Sequence, residues 1–351
     1  MERIAFAWLI SAGFMTAPPD NPDLKRFEFV RPEMAVPVKL VLYCMDADTA
    51  NRAADAAYER AKQLNRILSD YDPQSELSRL SSTSGEGRAV PVSKDLWKVL
   101  SRSQEISERS GGAFDVTVGP AIRLWRRARR QDEFPSAQRL EAARQRVGYD
   151  LVRLDSQRRG VELTKAGMRL DLGGIAKGYV IDEMLAVLHG QGLDRALVDA
   201  GGDVGLGSPP PGKPGWRIAV GSLDPKEKPT VFLSLSNCGL ATSGDAWQFV
   251  ELDGRRYSHI IDPRTGIGLT DHSSVTVVAP DAMTADALAS AVSVLGPCEG
   301  IRLANAMPAV AALVVRAPDG KVETYASCRW KDLPEAPSAP RPAVGSPGSV
   351  E

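Results

Sequence analysis

The sequence predicts an α+β fold: a helix-rich N-terminal part packed on mixed, mostly antiparallel sheets. Three observations predict it. Apolar residues recur at helical spacing through most of residues 46–150. Beyond residue 150 they fall instead into short runs separated by Gly, Asp and Pro. No G-x-G-x-x-G follows an early strand, which argues against a dinucleotide-binding parallel sheet.

The chain has 351 residues, 43% of them hydrophobic and 25% charged, enough for a large core. Lys and Arg number 43 against 44 Asp and Glu, so nothing points to general nucleic-acid binding. Cys44, Cys238, Cys298 and Cys328 are far apart, with no CxxC and no adjacent His. That spacing argues against zinc, and they read as core thiols.

In chain order, residues 4–17 form a nearly uncharged apolar run after Met1-Glu2-Arg3. It is too short for a membrane span and suits the core of a signal peptide. The expectation is therefore an exported protein, periplasmic or membrane-associated; a cytoplasmic one is the alternative. Residues 18–37 are Pro-rich and polar and read as a linker. A single domain follows over 38–331, with a helical part at about 46–150 and a sheet-rich part at about 151–331.

Residues 38–44 read as a buried strand and 46–68 as a long helix carrying Ala53, Ala54, Ala57, Ala61, Leu64 and Leu68. Residues 69–82 are a polar segment. A helix at 93–109 is stopped by Gly111-Gly112, and 113–118 read as extended. Gly119-Pro120 opens a helix with Leu124 and Trp125. The arginines after it, Arg126, Arg127, Arg129 and Arg130, suit a solvated face better than a phosphate site. Another helix covers 136–147. Strands follow at 151–154, 161–164 and 168–172, a helix at 175–189, and strands at 195–198, 216–220, 230–235, 239–242, 257–261 and 274–278. Helices at 281–295 and 299–306 precede closing strands at 309–315 and 322–325. Residues 332–351 are Pro-rich and read as a disordered tail.

The chemistry gathers at a few stretches. Asp171 to Tyr179 runs from a strand through Gly173-Gly174 into a helix. Free N–H groups at such a start favour an anion, and Asp171 and Lys177 set both charge signs beside it. Asp286 and Ser290 lie at i and i+4, so a carboxylate and a hydroxyl share one helix face. With a backbone carbonyl they would make a hard oxygen site suited to Mg²⁺, leaving room for phosphate oxygens. Of the three histidines, His259 stands in a dense polar cluster and is the candidate general base. His189 at a helix C-terminus reads as structural, and His272 as a solvated loop residue. Asp262 and Arg264 read as turn architecture or as site residues about equally. Residues 241–245 read as a polar loop able to bind phosphate or as a plain turn, and 199–203 likewise.

Taken in order, these stretches resemble the FAD:protein FMN transferases of the ApbE family. The resemblance rests on Asp171-Leu172-Gly173-Gly174-Ile175-Ala176-Lys177-Gly178-Tyr179, Ala200-Gly201-Gly202-Asp203 and Ala241-Thr242-Ser243-Gly244-Asp245. It continues through residues 257–266 and through Ala282-Met283-Thr284-Ala285-Asp286-Ala287-Leu288-Ala289-Ser290. Earlier matches are Leu68-Ser69-Asp70-Tyr71, Ser75-Glu76-Leu77-Ser78 and residues 112–120. Residues 26–330 are covered, and several motifs in order are more specific than a lone glycine pattern.

The resemblance implies an ApbE-like, T-fold-related architecture and Mg²⁺-dependent transfer of FMN from FAD to a Thr or Ser hydroxyl of an acceptor flavoprotein, with AMP released. It implies that Gly174 offers its carbonyl to Mg²⁺ beside Asp286 and Ser290, a position where the family more often has Thr. It implies that Asp171 and Lys177 contact FAD and that His259 is the base. Met34, Tyr71, Ala113, Phe114, Asp115 and Ile260 fall where the family holds the flavin or adenine, although the usual Met-Gly-Thr reads Met34-Ala35-Val36 here. The acceptor it implies is a flavoprotein subunit of a membrane or exported redox system. Two other readings use the same stretches: an FAD pyrophosphatase giving FMN and AMP, and a non-catalytic flavin-binding exported protein.

Overall fold

An eight-stranded sheet runs through the molecule in the order Lys25–Glu33, Val36–Cys44, Ala196–Ala200, Asp203–Leu206, Cys238–Gly244, Ser273–Ala279, Ala311–Arg316, Glu323–Ala326. Every ladder in it is antiparallel, and spatial order follows chain order. This computed structural model describes residues 23–224, 229–244, 249–252 and 254–337. Residues 1–17 lie outside that set.

The two faces of the sheet feed two cores, as the period of two along a strand requires. Val38, Leu40 and Leu42 face the helices, while Val41 and Tyr43 face a smaller core with Trp216, Ile218, Leu233 and Leu235. Helices α1 (Ala47–Leu68), α2 (Glu76–Ser82), α3 (Lys94–Arg109), α4 (Gly119–Gln131) and α5 (Ala137–Arg144) come from the insertion between the second and third strands. Helix α6 (Ala176–His189) closes the same insertion, and α7 (Ala282–Ala306) follows the sixth strand of the sheet. Asp46 caps α1 by accepting from the Thr49 N–H at 2.8 Å. The buried alanines 53, 54, 57 and 61 let α6 approach α1 closely. By length and composition α7 could cross a membrane, but here it is a largely buried core helix.

Several expectations are corrected. Residues 25–33 are not linker but an edge strand, joined to Val36–Cys44 by a two-residue turn. Met34 and Ala35 both have positive φ there, 49° and 62°, the mirror-image turn that matches strand twist. Residues 334–337 are not tail: Ser234 N–H donates to the Pro334 carbonyl and Ala336 N–H to the Phe232 carbonyl, both at 2.8 Å. The rest of that tail lies outside the described residues. Residues 168–172 form no strand beyond one bridge from Arg169 to Val118, and 113–118 fold into turns. Residues 69–82 contain α2, capped by Ser75. Residues 241–244 belong to a strand, and Asp245 lies outside the described residues. The expected pair of helices at 281–295 and 299–306 is present within α7, the two parts meeting at a break at Gly296, φ 72°, before Pro297. All four cysteines are free thiols, but Cys298 and Cys328 are exposed rather than in the core.

Candidate active site

The Asp171–Tyr179 stretch enters α6 across the edge of the turn at 113–118. The Asp171 N–H donates to the Val116 carbonyl at 2.8 Å, which ties the two loops together. The chain then turns through Gly173 and Gly174, and the N–H groups of Ile175 and Ala176 both donate to the Leu172 carbonyl. A side chain at Gly174 would crowd its neighbours. A methyl group there would lie 2.8 Å from Ser290 Oγ and 3.5 Å from the Phe114 ring. Ser290 and Phe114 therefore meet the backbone at Gly174, from α7 and from the 113–118 turns.

One turn earlier on α7, the Asp286 carboxylate is buried and accepts from the Gly178 N–H at 3.1 Å. Burial, then the charge of Asp203, pushes its carboxyl up to about 7. Lys177 pairs with Asp203, which enters from the Asp203–Leu206 strand. Burial works against the Lys177 charge, but Asp203 and Asp286 outweigh it and hold the ammonium charged. Among the described residues no three His, Cys, Asp or Glu cluster as a metal cage. The set at Gly174, Asp286 and Ser290 is of another kind: one carboxylate, one hydroxyl and one carbonyl. It fits a hard divalent cation that keeps positions for outside oxygens, and a cation would lower the cost of ionising buried Asp286.

Beside the glycines a second cluster forms. Asp171 accepts from the Gly173 N–H at 2.9 Å and from Arg126 at 2.9 Å. Burial, then Asp70, pushes the Asp171 carboxyl up to about 6 against the pull of Arg126. Arg126 also pairs with Asp70, and its guanidinium lies 4.2 Å from the centre of the Tyr71 ring. Tyr71 is 76% exposed, so an aromatic surface stands at the mouth of this cluster. Arg126 is thus not part of a solvated face; Arg127, Arg129 and Arg130 are exposed as expected.

Asp115 is buried within its own turn. It accepts from the Thr117 N–H at 2.8 Å and the Thr117 hydroxyl at 2.7 Å, and burial pushes its carboxyl up to about 6. Ala113 and Phe114 are buried beside it. Met34 is half-buried in the hairpin turn. It shares an end of the sheet with the Gly201-Gly202 turn, whose Gly201 faces Val36.

His259 and Ile260 follow the Arg255–Ser258 strand, with His259 exposed and Ile260 half-buried. Ser258 Oγ accepts from the Ile260 N–H at 3.1 Å. The segment is fixed to α4 by Trp125, which packs 5.0 Å from the Tyr257 ring and donates to the Gly266 carbonyl at 2.8 Å. Among the described residues no hydrogen bond joins Ile260 or Met34 to the cluster around Gly174. Asp262 accepts from the Arg264 backbone and guanidinium at 2.9 Å, which is turn architecture. His189 pairs with Asp194 at the end of α6.

Sequence reasoning missed Arg126 and Asp203 as site residues. Asp203 stood inside a quoted motif, and its signal was a carboxylate beside paired glycines at a strand start.

A model described as the ApbE family matches residues 34–314. The FAD:protein FMN transferase of Haemophilus influenzae is 34% identical over 288 residues, 78% of this chain and 81% of that one. That of Treponema pallidum is 35% identical over 297 residues, 80% of this chain and 81% of that one. Among solved structures, the flavin transferase ApbE from Vibrio cholerae is similar with a TM-score of 0.80 and 28% identity, covering 88% of this chain and 99% of that chain. The apo form of the Pseudomonas stutzeri flavinyl transferase ApbE has a TM-score of 0.78 at 28% identity, over 90% and 98%.

Proposed function

The chain belongs to the ApbE family, and from that premise we propose that it is an FAD:protein FMN transferase that moves FMN onto a Thr or Ser hydroxyl of an acceptor flavoprotein. The observation that carries the reading is the meeting of Gly174, Ser290 and buried Asp286 at the start of α6. In the reaction, the acceptor hydroxyl oxygen forms a bond to the FMN phosphorus. The pyrophosphate P–O bond breaks, AMP leaves, and the hydroxyl proton passes to His259. The Lys177 ammonium, held charged by Asp203 and Asp286, can offset phosphate charge at the start of α6. Gly174, Asp286 and Ser290 would hold Mg²⁺, which when bound neutralises pyrophosphate charge. Arg126 holds Asp171 and Tyr71 in place for the aromatic parts of FAD.

The test is incubation of the protein with FAD, Mg²⁺ and a purified flavoprotein subunit of a membrane or exported redox system. A covalently fluorescent acceptor band, with FMN mass added to a Thr or Ser, is the expected result. AMP and free FMN made at the same rate without acceptor would replace this reading with a pyrophosphatase. Stoichiometric FAD binding without turnover would replace it with a flavin carrier. The apolar run at 4–17 supports export of the protein, and fractionation of cells expressing the full chain checks the compartment.

Arg126→Met leaves Asp70 and Asp171 facing each other without their shared cation and strips one face of Tyr71. The KM for FAD is expected to rise about 10- to 100-fold, roughly 1.4–2.7 kcal/mol, with kcat at saturating FAD changing by less than about threefold. Steady-state kinetics with varied FAD check it. An unchanged KM would mean that the Arg126 cluster only braces the fold.

A further inference from the structure

Helices α6 and α7 pack antiparallel, and three contacts between them fall at the same spacing. On the α6 side they involve Gly174, Gly178 and Asp182, each four residues from the next. On the α7 side they involve Ser290, Asp286 and the pair Ala282 and Met283. A four-residue step is about one helical turn, so the contacts stack as rungs along one seam. The outer rung is Asp182, whose carboxylate accepts from the Ala282 N–H at 2.8 Å and the Met283 N–H at 2.9 Å. These are N–H groups of the first turn of α7, with no acceptor in their own helix. The middle rung is the Gly178 N–H on Asp286. The inner rung is Gly174 against Ser290.

The start of α7 has little freedom to slide. A methyl group at Gly178 would lie 2.2 Å from the Ala282 carbonyl oxygen, and one at Gly239 would lie 2.3 Å from the Ala282 nitrogen. Those contacts block approach; Asp182 supplies the attraction that holds α7 down at this height. The α7 cap Asp281 has a different task. It accepts from the Thr284 N–H at 2.7 Å, within its own helix, and does not reach α6.

We propose that Asp182 is a positioning residue for the cation site: by drawing the first turn of α7 onto α6, it sets where Asp286 and Ser290 stand over Gly174. The inference rests on the reading of Gly174, Asp286 and Ser290 as a divalent-cation site. Asp182 touches neither cation nor substrate, so its removal acts on metal affinity rather than on the chemical step.

The test titrates Mn²⁺ into the full chain with FAD present and follows free Mn²⁺ by electron paramagnetic resonance. Asp182→Asn keeps one acceptor oxygen and the side-chain size. It is expected to raise the Mn²⁺ dissociation constant about 10- to 100-fold, as loss of support behind a ligand typically does. FMN transfer at saturating Mg²⁺ should stay within about threefold of the parent. Asp281→Ala, which removes the α7 cap, should lower thermal stability and leave Mn²⁺ affinity unchanged. Should Asp182→Asn not fold, Asp182→Glu, which displaces the helix start by a methylene, is titrated with the same expectation. Equal Mn²⁺ affinity in parent and Asp182 variant overturns the inference, as does an Asp281→Ala protein that loses as much affinity. A parent that binds no Mn²⁺ overturns the cation reading itself, and the inference with it.

Discussion

Asp286→Asn should abolish FMN transfer, by about 10³-fold or more, while making the metal-free protein harder to unfold. Both effects come from one buried carboxylate. Burial and Asp203 push the Asp286 carboxyl up to about 7, against about 3.9 in an unfolded chain. The folded state therefore holds its proton more tightly than the unfolded state. The stability this contributes is fully present below about pH 3.9 and is lost as pH rises through about 7. At pH 8 the metal-free parent carries the whole cost and Asn carries none of it. The gain in Tm should be larger at pH 8 than at pH 5, at about 2–4 °C per kcal/mol. Added Mg²⁺ should raise the Tm of the parent and leave the variant unmoved. Differential scanning calorimetry at both pH values, with and without Mg²⁺, reads all of this. A variant that transfers FMN at the parental rate would remove Asp286 from the site.

His259→Ala is expected to slow FMN transfer about 10²- to 10⁴-fold, the usual range for loss of a general base. FAD affinity should change by less than about threefold, because removing a proton acceptor acts on the transfer step rather than on substrate binding. Added imidazole should restore part of the rate, since the exposed position leaves room for it. Folding should be intact, because Trp125 and Tyr257 hold the segment to α4. Single-turnover labelling of an acceptor separates the two steps. A loss confined to FAD binding would move His259 from proton transfer to substrate contact.

The parts of the site written as contiguous motifs were legible in the sequence. Glycines between Asp171 and Lys177, and a carboxylate and hydroxyl four residues apart, announce their chemistry locally. The parts made by pairing across the chain were not. Arg126 is one arginine among four on a single helix stretch. Only the fold sets it on Asp70, Asp171 and Tyr71 while its neighbours face water. Asp182 reads as an ordinary helix carboxylate until α7 is laid beside it. For the fold, helix spacing located α1, α3 and α6 to within a residue or two. Lys25–Glu33 was misread because an edge strand exposes much of its length, and its Arg, Glu and Pro residues conceal the inward Phe27 and Phe29. Met168, Leu170 and Leu172 alternate with charged residues because they are buried in the main core beside the 113–118 turns, not because they sit in a ladder.

The strand order has a consequence for how the molecule is made. The N-terminal hairpin is synthesised first, yet its inner strand must pair with a partner far along the chain, Val38 with Ala200. Until that partner emerges from the ribosome, the inner strand has one paired edge and one open edge. Such distant pairing makes closure slow, because loop entropy is lost before the contacts reward it. A slow-closing chain stays unfolded for longer after synthesis. The same delay leaves the backbone N–H and C=O groups on the open edge of Val36–Cys44 without their final partners during synthesis, an exposed edge of the kind that chaperones cover.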